Sequence, residues 1–102
     1  MDALDISFLF EVVVQHLKNV VYYAALGEWR RVDESAKFLC DFVEDMKKRG
    51  FLSSQEKSFW YWLDVFRSSI DLRDKELVRE GSHFFIAELF SLLRRLLSKA
   101  GL

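Results

Sequence analysis

The chain has 102 residues, of which 51% are hydrophobic and 16% aromatic, and its 15 basic and 16 acidic residues leave a net charge of −1. This length fits one domain with a single modest core, so we predict one helical domain over residues 1–102. The balanced charge argues against a nucleic-acid binder, because sequence-independent binding to nucleic acid needs a basic excess.

Cysteine usage and the placement of polar residues predict a compartment. Cys40 is the only cysteine, so the chain cannot form an internal disulfide. Asp2 and Asp5 stand where a signal peptide carries basic residues. Polar residues interrupt the apolar stretch over residues 8–26, which argues against a membrane span. We therefore predict a cytoplasmic protein with no membrane and no disulfide partner. Few amides beside 30% charged residues also favour a thermophilic source.

The first predicted helix runs from about residue 4 to residue 26. Ser7, Glu11, Gln15 and Lys18 fall in one narrow polar stripe when successive residues are placed 100° apart. Nearly all other positions are apolar and cover about 200° of the helix, whereas an ordinary surface helix shows an apolar stripe of about 100°. We therefore expect this helix to be covered on more than one side.

The second predicted helix runs from about residue 29 to residue 49, between Gly27 and Gly50. Its inward positions follow alternating steps of three and four residues, as in a helical bundle: Trp29, Val32, Ala36, Leu39, Val43 and Met46. The basic residues at its end complement the helix dipole, and glycine is a usual residue just after a helix.

The third and fourth predicted helices run over about 54–70 and 72–98. Ser53 followed by Glu56 is a capping-box pattern, and Asp71 is the predicted cap of the fourth helix. The inward residues of helix three are Phe59, Trp62, Leu63, Phe66 and Ile70. Those of helix four are Val78, Gly81, Phe85, Ile86, Leu89, Leu92, Leu93 and Leu96.

Four amphipathic helices without strands predict an all-α fold, either an antiparallel four-helix bundle or two stacked helical hairpins. In an up-down bundle helices two and four end on the same side. The basic residues there would then form one positive end: Lys47, Lys48, Arg49, Arg94 and Arg95. Complementation of the helix dipoles explains them without a ligand, and an anionic partner is the alternative.

Glu80 and His83 form a Glu-x-x-His pair. The ferritin-like di-iron proteins use this spacing on helices, but they need two such pairs and two further glutamates. The chain supplies one pair, and Glu11 lies on the polar stripe of helix one. We therefore predict no metal ion and no cofactor.

Arg79 and His83 resemble the motif of the HEPN-type helical ribonucleases, in which an arginine is followed by a histidine on a helix. Those enzymes are small dimeric helical bundles, so the resemblance implies a catalytic site shared between two chains. Three residues separate Arg79 from His83, which is one fewer than the family's pattern allows. An enzyme of this kind, or a metal-dependent one, is the alternative function, and we assign no catalytic residue.

Several bulky apolar residues fall off the predicted inward faces, and we predict that another chain covers them. They form the candidate interface: Trp60, Tyr61, Val65, Phe84 and Phe38. The predicted function is a protein-interaction module, either a homo-oligomeric helical adaptor or a subunit of a larger assembly. Its partner would be a second copy or another helical protein. A nucleic-acid accessory factor is the third reading.

Overall fold

The computed structural model describes residues 3–99, which form four α-helices: α1 (Ala3–Leu26), α2 (Trp29–Lys48), α3 (Lys57–Asp71) and α4 (Lys75–Lys99). No strand occurs within this range. Helix α1 packs against α2, α3 packs against α4, and α1 and α4 join the two hairpins, while α2 barely approaches α3. The all-α prediction is confirmed, and the contacts are those of two stacked hairpins in a helical bundle. None of the four described helices is both long and apolar enough to cross a membrane.

Helices α1 and α2 both end on a glycine with a positive φ, at Gly27 (φ 75°) and Gly50 (φ 80°). The next amide in each case reaches back across the last turn, with Glu28 N donating to Tyr23 O and Phe51 N to Met46 O. This is the usual glycine-terminated helix end. It permits the two-residue turn that makes α1 and α2 a tight hairpin.

The start of α3 is three residues later than predicted. Ser53 and Glu56 do pair, because Ser53 N donates to the Glu56 carboxylate at 2.6 Å. The pair closes a turn of the loop, in which Gln55 N also donates to Ser53 Oγ at 3.1 Å. Glu56 is the residue that precedes the helix, so the predicted capping box forms as a loop element rather than as the cap.

The prediction that Asp71 caps α4 is wrong, since Asp71 is the last residue of α3. The cap is Asp74, whose Oδ1 accepts a hydrogen bond from Leu77 N at 3.1 Å. Arg73 takes the left-handed conformation (φ 53°) between them, and Asp74 N reaches back to Ser69 O at 3.1 Å. Arginine therefore occupies the place that glycine has at the ends of α1 and α2. No glycine marks this turn, which is why the start of α4 was predicted at residue 72 rather than at Lys75.

The core lies between the two hairpins and is filled by aliphatic and phenylalanine side chains. Phe85 is fully buried, with its ring centroid 5.5 Å from those of Phe59 and Phe66. On the other hairpin, Phe10 meets Phe42 edge to face at 5.6 Å. The predicted inward residues of α2, α3 and α4 are buried or half-buried, whereas Phe42 is a buried core residue that the stripe of helix two omitted.

Arg73 connects the α3–α4 turn to the beginning of α2 at one end of the bundle. Its guanidinium donates to both carboxylate oxygens of Asp33, at 2.8 and 3.0 Å, and its Cζ lies 5.2 Å from the centre of the Trp29 ring. The hydrogen bonds from Arg73 lower the pKa of the Asp33 carboxyl. This fixed pair holds the non-glycine residue in its left-handed conformation.

We expect Arg73→Gly to return the pKa of Asp33 toward its ordinary value of about 3.9. Glycine keeps the left-handed turn while the change removes the ion pair and the contact with the Trp29 ring, and of these only the ion pair depends on the charge of Asp33. Because folding lowers this pKa, the pair stabilises the fold above the unfolded value and loses its effect as pH falls through the folded value. The stability difference between wild type and Arg73→Gly should therefore shrink on acidification. NMR titration of the Asp33 carboxyl measures the pKa, and an unchanged value in the variant would contradict the assignment.

Candidate interaction surfaces

Eight large apolar side chains are exposed among the described residues, and those that adjoin one another mark candidate interaction surfaces. Six of them belong to two surfaces that are described below: Leu4, Phe8, Tyr22, Leu26, Tyr61 and Phe84. Of the other two, Phe90 lies on the edge of α4 beside α1, and Leu72 follows the end of α3. Of the eight, Tyr61 and Phe84 belong to the predicted interface.

Tyr61, Trp62 and Phe84 form a continuous aromatic patch on the outer side of the α3–α4 hairpin. The Trp62 and Phe84 rings stack at 4.4 Å with an interplanar angle of 14°. Tyr61 meets Trp62 edge to face at 4.9 Å. Tyr61 is nevertheless 59% exposed and Phe84 46%. The patch is therefore fixed in shape before any partner arrives, which reduces the ordering cost of binding.

Polar groups surround the aromatic patch. Ser58 Oγ donates to the Glu88 carboxylate and links α3 to α4 on this side. His83 meets Phe84 edge to face at 5.5 Å, and Lys57, Asp64 and Glu80 are exposed nearby in sequence. An aromatic centre with a polar rim is the usual anatomy of a protein–protein interface.

The other three residues of the predicted interface are less exposed than Tyr61 and Phe84. Trp60 is half-buried against the α2–α3 loop, where its Nε1 donates to Ser53 O at 2.8 Å, and Lys47 Nζ lies 5.6 Å from its ring. Val65 is half-buried at the α3–α4 contact, close to Gly81. Phe38 stacks on His16 at 3.9 Å between α1 and α2. Trp62, which the sequence had placed inward, joins Tyr61 to Phe84, and Trp60 lines one shallow groove with Tyr61.

The outward face of α1 is a second candidate surface. Only its polar residues were predicted from the sequence to be exposed. Ser7, Glu11, Gln15 and Lys18 are exposed, as the polar stripe predicted. Large apolar residues extend the same face at both ends, with Leu4 80%, Phe8 67%, Tyr22 61% and Leu26 56% exposed. The signal was present in the sequence, because these four residues share the angular position of the stripe.

A groove of about 500 Å³ between α1 and α4 contains the predicted Arg79–His83 pair. Both residues are exposed, and Arg79 Nη2 is held by Glu76 at 2.6 Å. Ser82 lines the same groove, and its buried hydroxyl has no hydrogen-bond partner. Arg79 is therefore paired within its own helix, with Glu76, and no hydrogen bond joins it to His83.

Glu80 and His83, which were predicted to bind no metal ion, are both exposed on α4. Within residues 3–99, no three side chains of histidine, cysteine, aspartate or glutamate are close enough to hold a metal ion. We expect protein purified without an affinity tag to contain no stoichiometric transition metal by elemental analysis. A stoichiometric metal that disappears in His83→Ala would contradict this prediction.

Two of the five residues of the predicted positive end form ion pairs within the chain, and a third contacts an aromatic ring. Arg95 forms an ion pair with Glu56 of the α2–α3 loop, and Arg49 pairs with Asp45 at 2.9 Å. Lys47 lies over the Trp60 ring. These contacts connect the ends of α2 and α4 to the α2–α3 loop, so the two helix ends lie on the same side of the bundle, as predicted. They also involve cations that an anionic partner would use.

Cys40 is half-buried on α2. Burial raises the pKa of its thiol, so the neutral form predominates at neutral pH. A thiol that is both shielded and protonated is a poor nucleophile.

No protein-family model, curated protein or solved structure matches this chain. Its function must therefore be inferred from the chemistry of its own surfaces.

Proposed function

We propose that the chain is a protein-interaction module, acting as a homo-oligomeric helical adaptor or as a subunit of a larger assembly. The observation that carries this proposal is the aromatic patch of Tyr61, Trp62 and Phe84, which is stacked and yet open to solvent. Keeping such surface in water is unfavourable by about 25 cal/mol per Å² of apolar area. Tyrosine and tryptophan are also frequent anchors of interfaces.

The positions of the two apolar surfaces suit an adaptor. Helix α3 carries Tyr61 and Trp62, and α1 carries the outward face described above. Helices α1 and α3 have no direct contact among the described residues and lie diagonally in the bundle. The two surfaces therefore lie mainly on helices that do not touch, an arrangement that suits a module with two contacts. Cys40, which has no cysteine to pair with, suits a reducing compartment such as the cytoplasm.

Photo-crosslinking in the native cell tests this proposal. A photoreactive phenylalanine analogue replaces Tyr61, and a matched variant carries the analogue at Glu44, an exposed position on α2. We expect a discrete protein adduct from position 61 and none from position 44.

The same experiment on a Phe84→Ser background provides the specificity control. Removing Phe84 takes away the ring on which Trp62 stacks, so the adduct should weaken strongly. Equal adduct yields from positions 61 and 44 would count against the proposal. So would an adduct from position 61 whose yield is the same on the Phe84→Ser background.

A further inference from the structure

The outward face of α1 has the spacing of a helix–helix contact. Its residues follow alternating steps of four and three, with a last apolar residue one turn further on: Leu4, Phe8, Glu11, Gln15, Lys18, Tyr22 and Leu26. We call these residues the α1 outer stripe. Alternating steps of three and four are the pattern by which two helices pack side by side. All seven side chains are exposed on the single chain, so nothing within it uses this pattern.

The α1 outer stripe is symmetric about Gln15. Reversing its direction places Leu4 on Leu26 and Phe8 on Tyr22, so apolar ends meet apolar ends. The same reversal brings Lys18 to within one residue of Glu11, so an acid and a base lie side by side twice in the pair. An interface between two identical chains related by a two-fold axis requires this kind of self-complementarity, since residue i contacts j while j contacts i.

Other arrangements of two α1 helices lose these matches. A parallel pairing sets Glu11 against Glu11 and Lys18 against Lys18. An antiparallel pairing shifted by seven residues again opposes the two Glu11 side chains and sets Phe8 against Gln15. Like charges face to face are unfavourable, and charged positions of this type choose partner and orientation in helical pairs. The polar centre therefore selects one register.

The surface beside the stripe adds apolar area where the stripe itself is polar. A groove between α1 and α4 runs along Glu11, Gln15 and Lys18, and its other wall includes Phe90 and Leu93. Phe90 is exposed on the single chain. An aromatic side chain covers about 150–250 Å², so the apolar residues of the stripe offer on the order of 500 Å² per copy. Together with the groove, this apolar area approaches that of a standard interface, which buries about 800 Å² per partner.

We infer that a second copy of this chain docks on the α1 outer stripe, antiparallel to it and centred on Gln15. This inference rests on the proposed function and specifies the contact that makes the module homo-oligomeric. The α1 outer stripe contains none of the three residues of the aromatic patch, so the two surfaces share no residue.

Charge reversal with rescue tests the register. Glu11→Lys and Lys18→Glu each create two like-charge contacts in the two-fold dimer, so each should weaken the dimer by about tenfold. The double variant Glu11→Lys/Lys18→Glu restores both pairs and should dimerise like wild type. An equimolar mixture of the two single variants should also associate more tightly than either alone. Sedimentation equilibrium over about 1–100 µM measures the dissociation constants, with Glu44→Lys as the control that leaves them unchanged.

The exposed positions of Glu11 and Lys18 mean that these variants should keep the wild-type circular dichroism. A wild-type protein that is monomeric at about 100 µM would overturn the inference, and so would a double variant as weak as the single ones. A dimer that is lost with Phe84→Ser but not with either charge reversal would also overturn it. The adduct at position 61 decides the proposed function separately, so the two can fail independently.

Discussion

Phe85→Ala should lower the free energy of unfolding by about 3–5 kcal/mol, the cost of removing a buried ring and leaving a cavity. Phe85 is fully buried and lies between Phe59 and Phe66, so its loss opens the centre of the α3–α4 hairpin. A small domain is stable by about 5–15 kcal/mol, and the midpoint of thermal unfolding should fall by on the order of 20 °C. Denaturant titration followed by circular dichroism measures the change.

Leu72→Ala is the control for this deletion. Leu72 is 70% exposed after the end of α3, and an exposed substitution changes stability by about 0.5 kcal/mol or less. Equal losses in Phe85→Ala and Leu72→Ala would mean that the Phe59–Phe66–Phe85 cluster is not the centre of the core.

Substitutions at Gly81 should stabilise or destabilise the protein according to the size of the new side chain. A Cβ at this position would lie 3.5 Å from the Cα of Phe66 and 3.5 Å from Cγ1 of Val65, which is ordinary van der Waals contact. Gly81→Ala should therefore stabilise the protein by about 0.5–1 kcal/mol, because alanine favours the helix over glycine. Gly81→Leu pushes atoms against the backbone of α3 and should cost about 1–3 kcal/mol.

Thermal unfolding of the two Gly81 variants beside wild type tests the close approach of α4 to α3. If both variants were stabilised, α3 would have to lie further from α4 than the Phe66 contact indicates. If Gly81→Ala were destabilised by more than about 1 kcal/mol, the helices would have to approach more closely still.

The sequence predicted the number and type of the helices because glycine and apolar periodicity mark them. Gly27 and Gly50 take the positive φ that ends a helix, and the polar stripe of α1 is the exposed face that its spacing indicated. The start and the cap of α4 were misplaced because Arg73 rather than glycine holds the left-handed position in the turn before it. Its conformation depends on Asp33 and Trp29, which are tertiary partners that a local pattern does not reveal.

The candidate interface was harder to predict because angular position alone does not tell which neighbour covers an aromatic ring. Trp60 and Tyr61 are adjacent, yet Trp60 bonds to the loop through Ser53 O and Tyr61 is open to solvent. Trp62, placed inward by periodicity, lies at the edge of α3 where it stacks on Phe84. On α1, treating all apolar residues as one wide arc hid the fact that the four largest exposed ones share the angle of the polar stripe.

The native mass of the tagged chain in a fresh extract of its own cells tests most directly whether its apolar surfaces are covered by protein. The account predicts a defined species of at least twice the mass of one chain, measured by sedimentation velocity of a fluorescently labelled copy at its natural level. A species with the mass of a single chain, at that level and after concentration to about 100 µM, would contradict it.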